Sequence, residues 1–279
     1  MSANRKRATT LVAGFCVMIA SSLVALPDAS SVVANPGSVS SPHVTTHQGQ
    51  VTELTVFATQ NVASANDRRV IATTSQGREI VARHYGSLDA AVQIVAIGQM
   101  HGSEPGGRKV IEDLAAGPVP DGVGLWLVTS MNPDGNARGT RANARGVDLN
   151  RNFPFGWHGG ARGTYWPGPK AASEAETRGM MRFLSAVKPT AVLSYHQAFD
   201  VVDISHDRSR AAGRQLAKYM GERAAQVGCA GVCHGTMTQW IDHELKTIAI
   251  TVELDSAVSG REAERAATAV LRLGRWLGR

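Results

Sequence analysis

Cysteine is scarce in this chain, with three residues in 279, and one of them, Cys16, sits in an apolar N-terminal run. The two others, Cys229 and Cys233, are too few for a sulfur-only metal site, and only His234 lies beside them. Dense basic clusters are also missing. The formal charge is +6, and setting aside Arg5, Lys6, Arg7 and Asp28 leaves +4, spread over many Arg and Glu residues. Without a Lys/Arg run, nucleic-acid binding is not indicated. No internal repeat or coiled-coil heptad occurs, which argues against a structural array. Beyond residue 26 there is no long uninterrupted apolar stretch, so stable membrane insertion of the mature chain is not expected.

The N-terminus supplies what the remainder lacks. A short basic stretch, Arg5-Lys6-Arg7, precedes an uncharged apolar run from Leu11 to Leu26. This pattern predicts a secretory signal peptide over residues 1–34. A retained anchor fits less well because the run is short for a span and Pro27 follows it. A lipoprotein fits less well because Cys16 lies inside the run. Residues 35–66 read as a linker or short pro-segment, rich in Ser, Pro, Val and His at the start. Residues 67–279 are long enough for one domain with a full core. Export to an oxidising compartment favours a local Cys229–Cys233 disulfide. Metal thiolates and unpaired cysteines are the other readings. A monomer is the default, since no spare apolar helix face is evident.

β-Branched or continuous apolar runs predict strands at Val51–Phe57, Arg69–Thr73, Glu79–His84, Ala91–Ile97, Gly124–Thr129, Thr190–Tyr195 and Thr247–Leu254. Helical patterns cover Arg108–Ala116, Ser173–Val187, Asp207–Val227 and Arg261–Leu277, with Ser173 as N-cap and Glu176 completing a capping box. Alternation of this kind predicts an α/β fold with helices on both faces of a sheet. The stretch from Met131 to Lys170 has no period, yet it carries Phe153, Phe155, Trp157, Tyr165 and Trp166, so it is expected to be an ordered, functional loop.

The chemistry-bearing residues gather at the predicted strand ends. His101 and Glu104 follow one strand, His196 a second and Glu253 a third. Two ligands close together and one distant suit a catalytic zinc, whose fourth position stays open. Taken singly, each has an ordinary alternative: a surface His–Glu pair, a histidine bonded under a loop, a rim carboxylate paired with an arginine. The intervening loop adds Asn132-Pro133-Asp134-Gly135, Arg141 and Gly146-Val147-Asp148-Leu149-Asn150-Arg151-Asn152-Phe153-Pro154. Asn132 and Asp134 carry a turn signature, and Asp148 is a candidate ion-pair partner for Arg151.

With the segments HGSE, NPDG, GVDLNRNFP, SYHQ and TVELD in this order, the chain resembles the zinc carboxypeptidases over about residues 74–279 and is most similar to their bacterial murein peptide amidase branch. The resemblance implies a three-layer α/β/α sandwich around a mixed, mostly parallel eight-stranded sheet. It implies one zinc ion held by His101, Glu104 and His196, with Glu253 as general acid/base. It implies Arg141 as the arginine that polarises the scissile carbonyl, and Asn150 with Arg151 as receptors of a free substrate carboxylate. Thr238, beside Gln239, falls at the pocket-floor position. The family's digestive members carry a mobile-loop tyrosine where this chain has Gly228 to His234, and an arginine where it has Ser103. Small polar cell-wall (murein) peptides with a free carboxylate are therefore the expected substrates, cleaved at the γ-D-glutamyl–diaminopimelate bond. A broader-specificity metallocarboxypeptidase and a non-catalytic peptide-binding module are the alternatives.

Overall fold

The computed structural model describes residues 65–227 and 233–279. The expected signal peptide, the linker up to residue 64, the Val51–Phe57 strand and Cys229 lie outside the described residues, and with Cys229 the expected Cys229–Cys233 bridge. The order of elements is β1 (Asp67–Thr73), β2 (Glu79–Gly86), β3 (Val92–Ile97), α1 (Gly106–Ala116), β4 (Val123–Val128), α2 (Pro133–Arg138), α3 (Ala175–Val187), β5 (Ala191–Gln197), β6 (Val201–Asp203), α4 (Arg210–Met220), β7 (Arg223–Ala225), α5 (Met237–Trp240), β8 (Ile248–Leu254) and α6 (Gly260–Leu277).

The strands form one eight-stranded sheet in the order β1-β2-β4-β3-β5-β8-β6-β7. Pairs β3·β4, β3·β5, β5·β8 and β6·β7 are parallel, while β1·β2, β2·β4 and β6·β8 are antiparallel. This is the mixed, mostly parallel sheet that was expected. Strands β3, β4 and β5 lie in its middle and are buried almost throughout, which explains their continuous apolar sequences. Successive side chains leave a strand on opposite faces. Ile94, Leu125, Leu193, Ile250 and Val252 accordingly meet α1, α4 and α6 on one face. Val95, Trp126, Val192 and Ala249 meet α3, α5 and the long loop on the other. The result is a three-layer sandwich.

Three local expectations are corrected. Ser173 does not cap α3: its Oγ accepts from Asn152 Nδ2 at 2.9 Å and donates to Glu174 Oε1 at 2.7 Å, so Glu174 becomes the cap residue, without a capping bond. Glu176 closes no capping box and instead accepts from Asn143. The helix drawn from Asp207 to Val227 stops at Met220, because Gly221 turns left-handed at φ 73°, and the chain returns as the short edge strand β7. The long loop holds α2, with Asn132 accepting from Gly135 N as its cap, and a single 3-10 turn at Leu149–Arg151.

The turn after β5 brings Asp200 against Glu222. Burial pushes the Glu222 carboxyl up to about 7, and the hydrogen bond and charge of Asp200 act in the same direction. A raised carboxyl pKa stabilises the fold below the unfolded value, and that stabilisation is lost as pH rises through about 7. Glu222→Gln is therefore expected to match the wild type in thermal unfolding at pH 5 and to exceed it at pH 8. A lower midpoint at pH 8 would mean that the exposed Arg265 ion pair dominates.

Candidate metal centre and cleft

His101 and Glu104 sit on a single turn after β3, closed by the bond from Glu104 N to His101 O at 3.0 Å. That turn packs onto α2 without space for a side chain: a Cβ on Gly102 would lie 2.0 Å from the carbonyl carbon of Gly135. One glycine in each of the two motifs permits this contact. His196 enters from β5, where it is register partner of Glu253 on β8.

Three donor atoms converge. His101 Nδ1 is 2.9 Å from Glu104 Oε2, His196 Nδ1 is 3.0 Å from the same oxygen, and the two Nδ1 atoms are 3.2 Å apart. All three residues are buried. Ligands at about 2.0–2.1 Å around a tetrahedral zinc place their donor atoms roughly 3.3 Å apart, close to this triangle. The outer atoms agree. His101 Nε2 faces Asp148 Oδ1 at 3.1 Å and His196 Nε2 faces Ser194 Oγ at 3.2 Å. With each Nε2–H donating outwards, both Nδ1 lone pairs point inwards at a carboxylate, an arrangement that needs a cation between them. Burial disfavours charge on His101, but the bonds to Asp148 and Glu104 outweigh it and raise its pKa. Burial also opposes ionisation of Glu104, yet the two histidines hold its carboxyl well below the usual range. Among the described residues this is the one group of three or more His, Cys, Asp or Glu side chains placed to hold a metal.

A family model for zinc carboxypeptidases matches residues 58–259. The chain belongs to the zinc carboxypeptidase family. It is 30% identical over 163 residues to murein peptide amidase A of Escherichia coli K12, covering 54% of this chain and 66% of that protein, just under two-thirds of its length. It is also 30% identical over 125 residues to carboxypeptidase SOL1 of Arabidopsis thaliana, covering 40% of this chain and 24% of that one. In fold it is similar to the murein-tripeptide amidase of E. coli O157, with TM-score 0.62 and 24% identity over 77% of this chain and 98% of that one. Bovine thrombin-activatable fibrinolysis inhibitor gives TM-score 0.64 at 15% identity over 78% and 91%. The chain thus carries the metal site of a zinc carboxypeptidase, one zinc site formed by His101, Glu104 and His196.

The remaining expected residues surround one cleft of about 580 Å³ that opens on the metal site. Glu253 lines it, and Glu253 Oε2 is buried with no hydrogen-bond partner among the described residues. Burial is the main cause of the raised pKa of this carboxyl. Arg141 lines it too, engaged with Glu104 Oε1 at 3.1 Å and Asp148 Oδ2 at 3.0 Å. Asn150 Oδ1 accepts from Met237 N, and the Asn150 side chain borders the cleft beside Arg151. Thr238 and Gln239 also line the cleft, with Gln239 Nε2 donating to Cys233 O.

The ordinary alternative for Arg151, an ion pair with Asp148, is not adopted. Asp148 is taken by His101, Arg141 and Asn150 N. Arg151 is only 4% exposed, and its side chain donates to Asn150 O and Cys233 Sγ. No carboxylate lies within ion-pair distance of it among the described residues. The undescribed segment 228–232, Gly-Cys-Ala-Gly-Val, contains no acid.

Further residues without an assigned role line the cleft, among them Tyr165, Thr251, Asp203 and Arg223. Tyr165 stands 49% exposed, with the Arg141 and Arg151 guanidinium groups 5.1 and 5.4 Å from its ring centroid. Thr251, Asp203 and Arg223 line the floor. Strand parity could have found Thr251, two residues before Glu253. The unassigned histidines contribute no second metal group among the described residues. His158 stacks on His234, His243 on Phe155, and His206 approaches Asp242.

Proposed function

We propose that this protein is an exported, monomeric zinc peptidase that hydrolyses murein peptides at the γ-D-glutamyl–diaminopimelate amide bond. The observation that carries the carboxylate-terminated substrate is Arg151, a buried guanidinium beside the zinc ligands without a carboxylate partner among the described residues. A buried charge left unpaired costs several kcal/mol in general, so a site that keeps one is suited to an anionic ligand. Arg151 can take both oxygens of a terminal carboxylate, and Asn150 adds a neutral donor. Three features favour murein peptides: the likeness to murein peptide amidase A, the polar lining Thr236, Thr238, Gln239 and Thr251, and Ser103 in place of an arginine anchor. Export rests on the basic-then-apolar start of the sequence, and cell fractionation with N-terminal sequencing of the mature chain tests it.

When bound, zinc supplies Lewis acidity, polarising a carbonyl and making water nucleophilic near neutral pH. Glu253 accepts the water's proton and delivers it to the leaving amine. Arg141 brings positive charge to the mouth of the site, where the carbonyl oxygen becomes anionic. The side chains of Asn150 and Arg151 fix the released residue by its carboxylate, which holds the scissile bond against Glu253.

The deciding experiment supplies zinc-loaded protein with L-Ala-γ-D-Glu-diaminopimelate, its C-terminal amide and ordinary C-terminal tripeptides. Diaminopimelate should be released from the first much faster than residues from the ordinary peptides. Amidation should lower kcat/KM by about 10–100-fold, and Arg151→Met should erase that gap. A preference for ordinary peptides would overturn the murein substrate in favour of a broader metallocarboxypeptidase.

A further inference from the structure

The cleft floor is a patch of sheet whose parity can be followed strand by strand. His196 on β5 is abreast of Glu253 on β8, Glu253 of Val201 on β6, and Val201 of Arg223 on β7. Two residues along each strand, Ser194 pairs with Thr251 and Asp203 with Ala225. Partners in register share a face, and so do residues two apart. Glu253, Thr251, Asp203 and Arg223 therefore all face the cleft, and all four line it. Asp203 is a diagonal neighbour both of Glu253 and of Arg223, a separation of roughly 7–8 Å between Cα atoms.

Both charged groups on this floor have capacity left. Asp203 Oδ1 accepts from Ser205 N, Ser205 Oγ and Val227 N, while Oδ2 takes part in no hydrogen bond or ion pair among the described residues and is not a buried orphan. Arg223 makes no hydrogen bond or ion pair among the described residues, and the two groups do not pair with each other. A carboxylate and a guanidinium thus stand one diagonal step apart, unpaired among the described residues, with the carboxylate one diagonal step from the general acid/base and the guanidinium one strand further out. We propose that Asp203 and Arg223 form the specificity subsite for the side chain of the released residue, and that they select a zwitterionic end group. Asp203 Oδ2 accepts from its ammonium and Arg223 donates to its carboxylate. This proposal rests on the peptidase reading of the site and deepens it. The metal ligands and the Asn150–Arg151 pair handle the backbone end of the released residue, whereas Asp203 and Arg223 read the far end of its side chain.

The test uses zinc-loaded enzyme and a panel of peptides differing only in the last side chain: diaminopimelate, lysine with ammonium alone, 2-aminopimelate with carboxylate alone, and norleucine with neither. Each is supplied in γ-D-Glu-linked and in ordinary α-linked form. The wild type should prefer diaminopimelate over norleucine, with lysine and 2-aminopimelate between. Asp203→Asn keeps Oδ1 for the Ser205 and Val227 bonds and replaces Oδ2 with a donor. It should lower the diaminopimelate-to-norleucine ratio of kcat/KM by about 10–100-fold and abolish the preference for lysine. Arg223→Gln, on an edge strand, should reduce the 2-aminopimelate preference and spare that for lysine. Equal losses on all four side chains would assign Asp203 to the fold and overturn the subsite, as would unchanged ratios. If the side-chain ratios respond as stated but only α-linked peptides are cleaved, the subsite stands and the γ-D-glutamyl bond assignment falls.

Discussion

Glu253→Gln is expected to bind one zinc per chain as the wild type does and to lose about 10²–10⁴-fold in kcat. The variant is nearly isosteric, so neither the β5·β8 register that places residue 253 abreast of His196 nor the walls of the cleft need to move. What changes is proton affinity. Glu253 Oε2 lies buried without a hydrogen-bond partner among the described residues, and burial, with the charge of Glu104 adding to it, raises the pKa while the histidines and Arg141 pull it down. A carboxylate poised in this way can both take and return a proton, and an amide can do neither. Metal content by elemental analysis and steady-state kinetics on one peptide separate the two effects. Activity above about a hundredth of wild type would place the base elsewhere. Loss of zinc would make residue 253 a support of the metal site instead.

The parts of this site that could be read from the sequence are those that lie at the ends of central strands. Strands β3, β5 and β8 announce themselves as apolar runs because two helical layers cover them, and His101, His196 and Glu253 follow at or near their ends. The cleft floor was not legible. Strands β6 and β7 are three residues each, too short for a period. Arg223-Ala224-Ala225 has no β-branched residue, so its strand is imposed by pairing with β6, and the preceding helical pattern runs through it on paper. Arg223 gives no sign in the sequence and Asp203 reads there only as an acid near His206 without a partner set, because the meaning of both lies in which face of β6 and β7 they occupy. Ser173 failed as a cap for a related reason. Its hydroxyl had a better partner, Asn152, on a loop far away in sequence. Tyr165 was recognised only as ballast for the long loop, because its position over two arginines depends on how that loop closes.

Asp148 shows the same limit and carries the second large effect. From sequence it was a partner for Arg151; in the structure its fully buried carboxylate accepts from Asn150 N at 2.9 Å and Arg141 Nε at 3.0 Å and holds His101 Nε2 at 3.1 Å. Burial opposes its ionisation, but the bond to His101 and the charges of His101, Arg141 and Arg151 bring its pKa down to about 2. Asp148→Ala would leave an imidazole N–H, a guanidinium and a backbone N–H without their acceptor. Removing one partner of a buried charged network costs about 3–5 kcal/mol. Loss of a carboxylate behind a ligating histidine costs about 10–100-fold in metal affinity. Denaturant unfolding of the metal-free protein should reveal the first loss, and competitive zinc titration the second. Asp148→Asn keeps an oxygen for Asn150 N and the volume, so it should recover much of the stability but little of the charge that holds Arg141. The sign of the pH dependence separates them further. A carboxyl whose pKa falls from 3.8 to about 2 on folding adds stability above about pH 4 that disappears as pH drops through about 2. The Asn variant should lack that portion of the acid limb. If its acid unfolding instead follows the wild type, the His101–Asp148–Arg141 network is not what keeps the metal ligands in place.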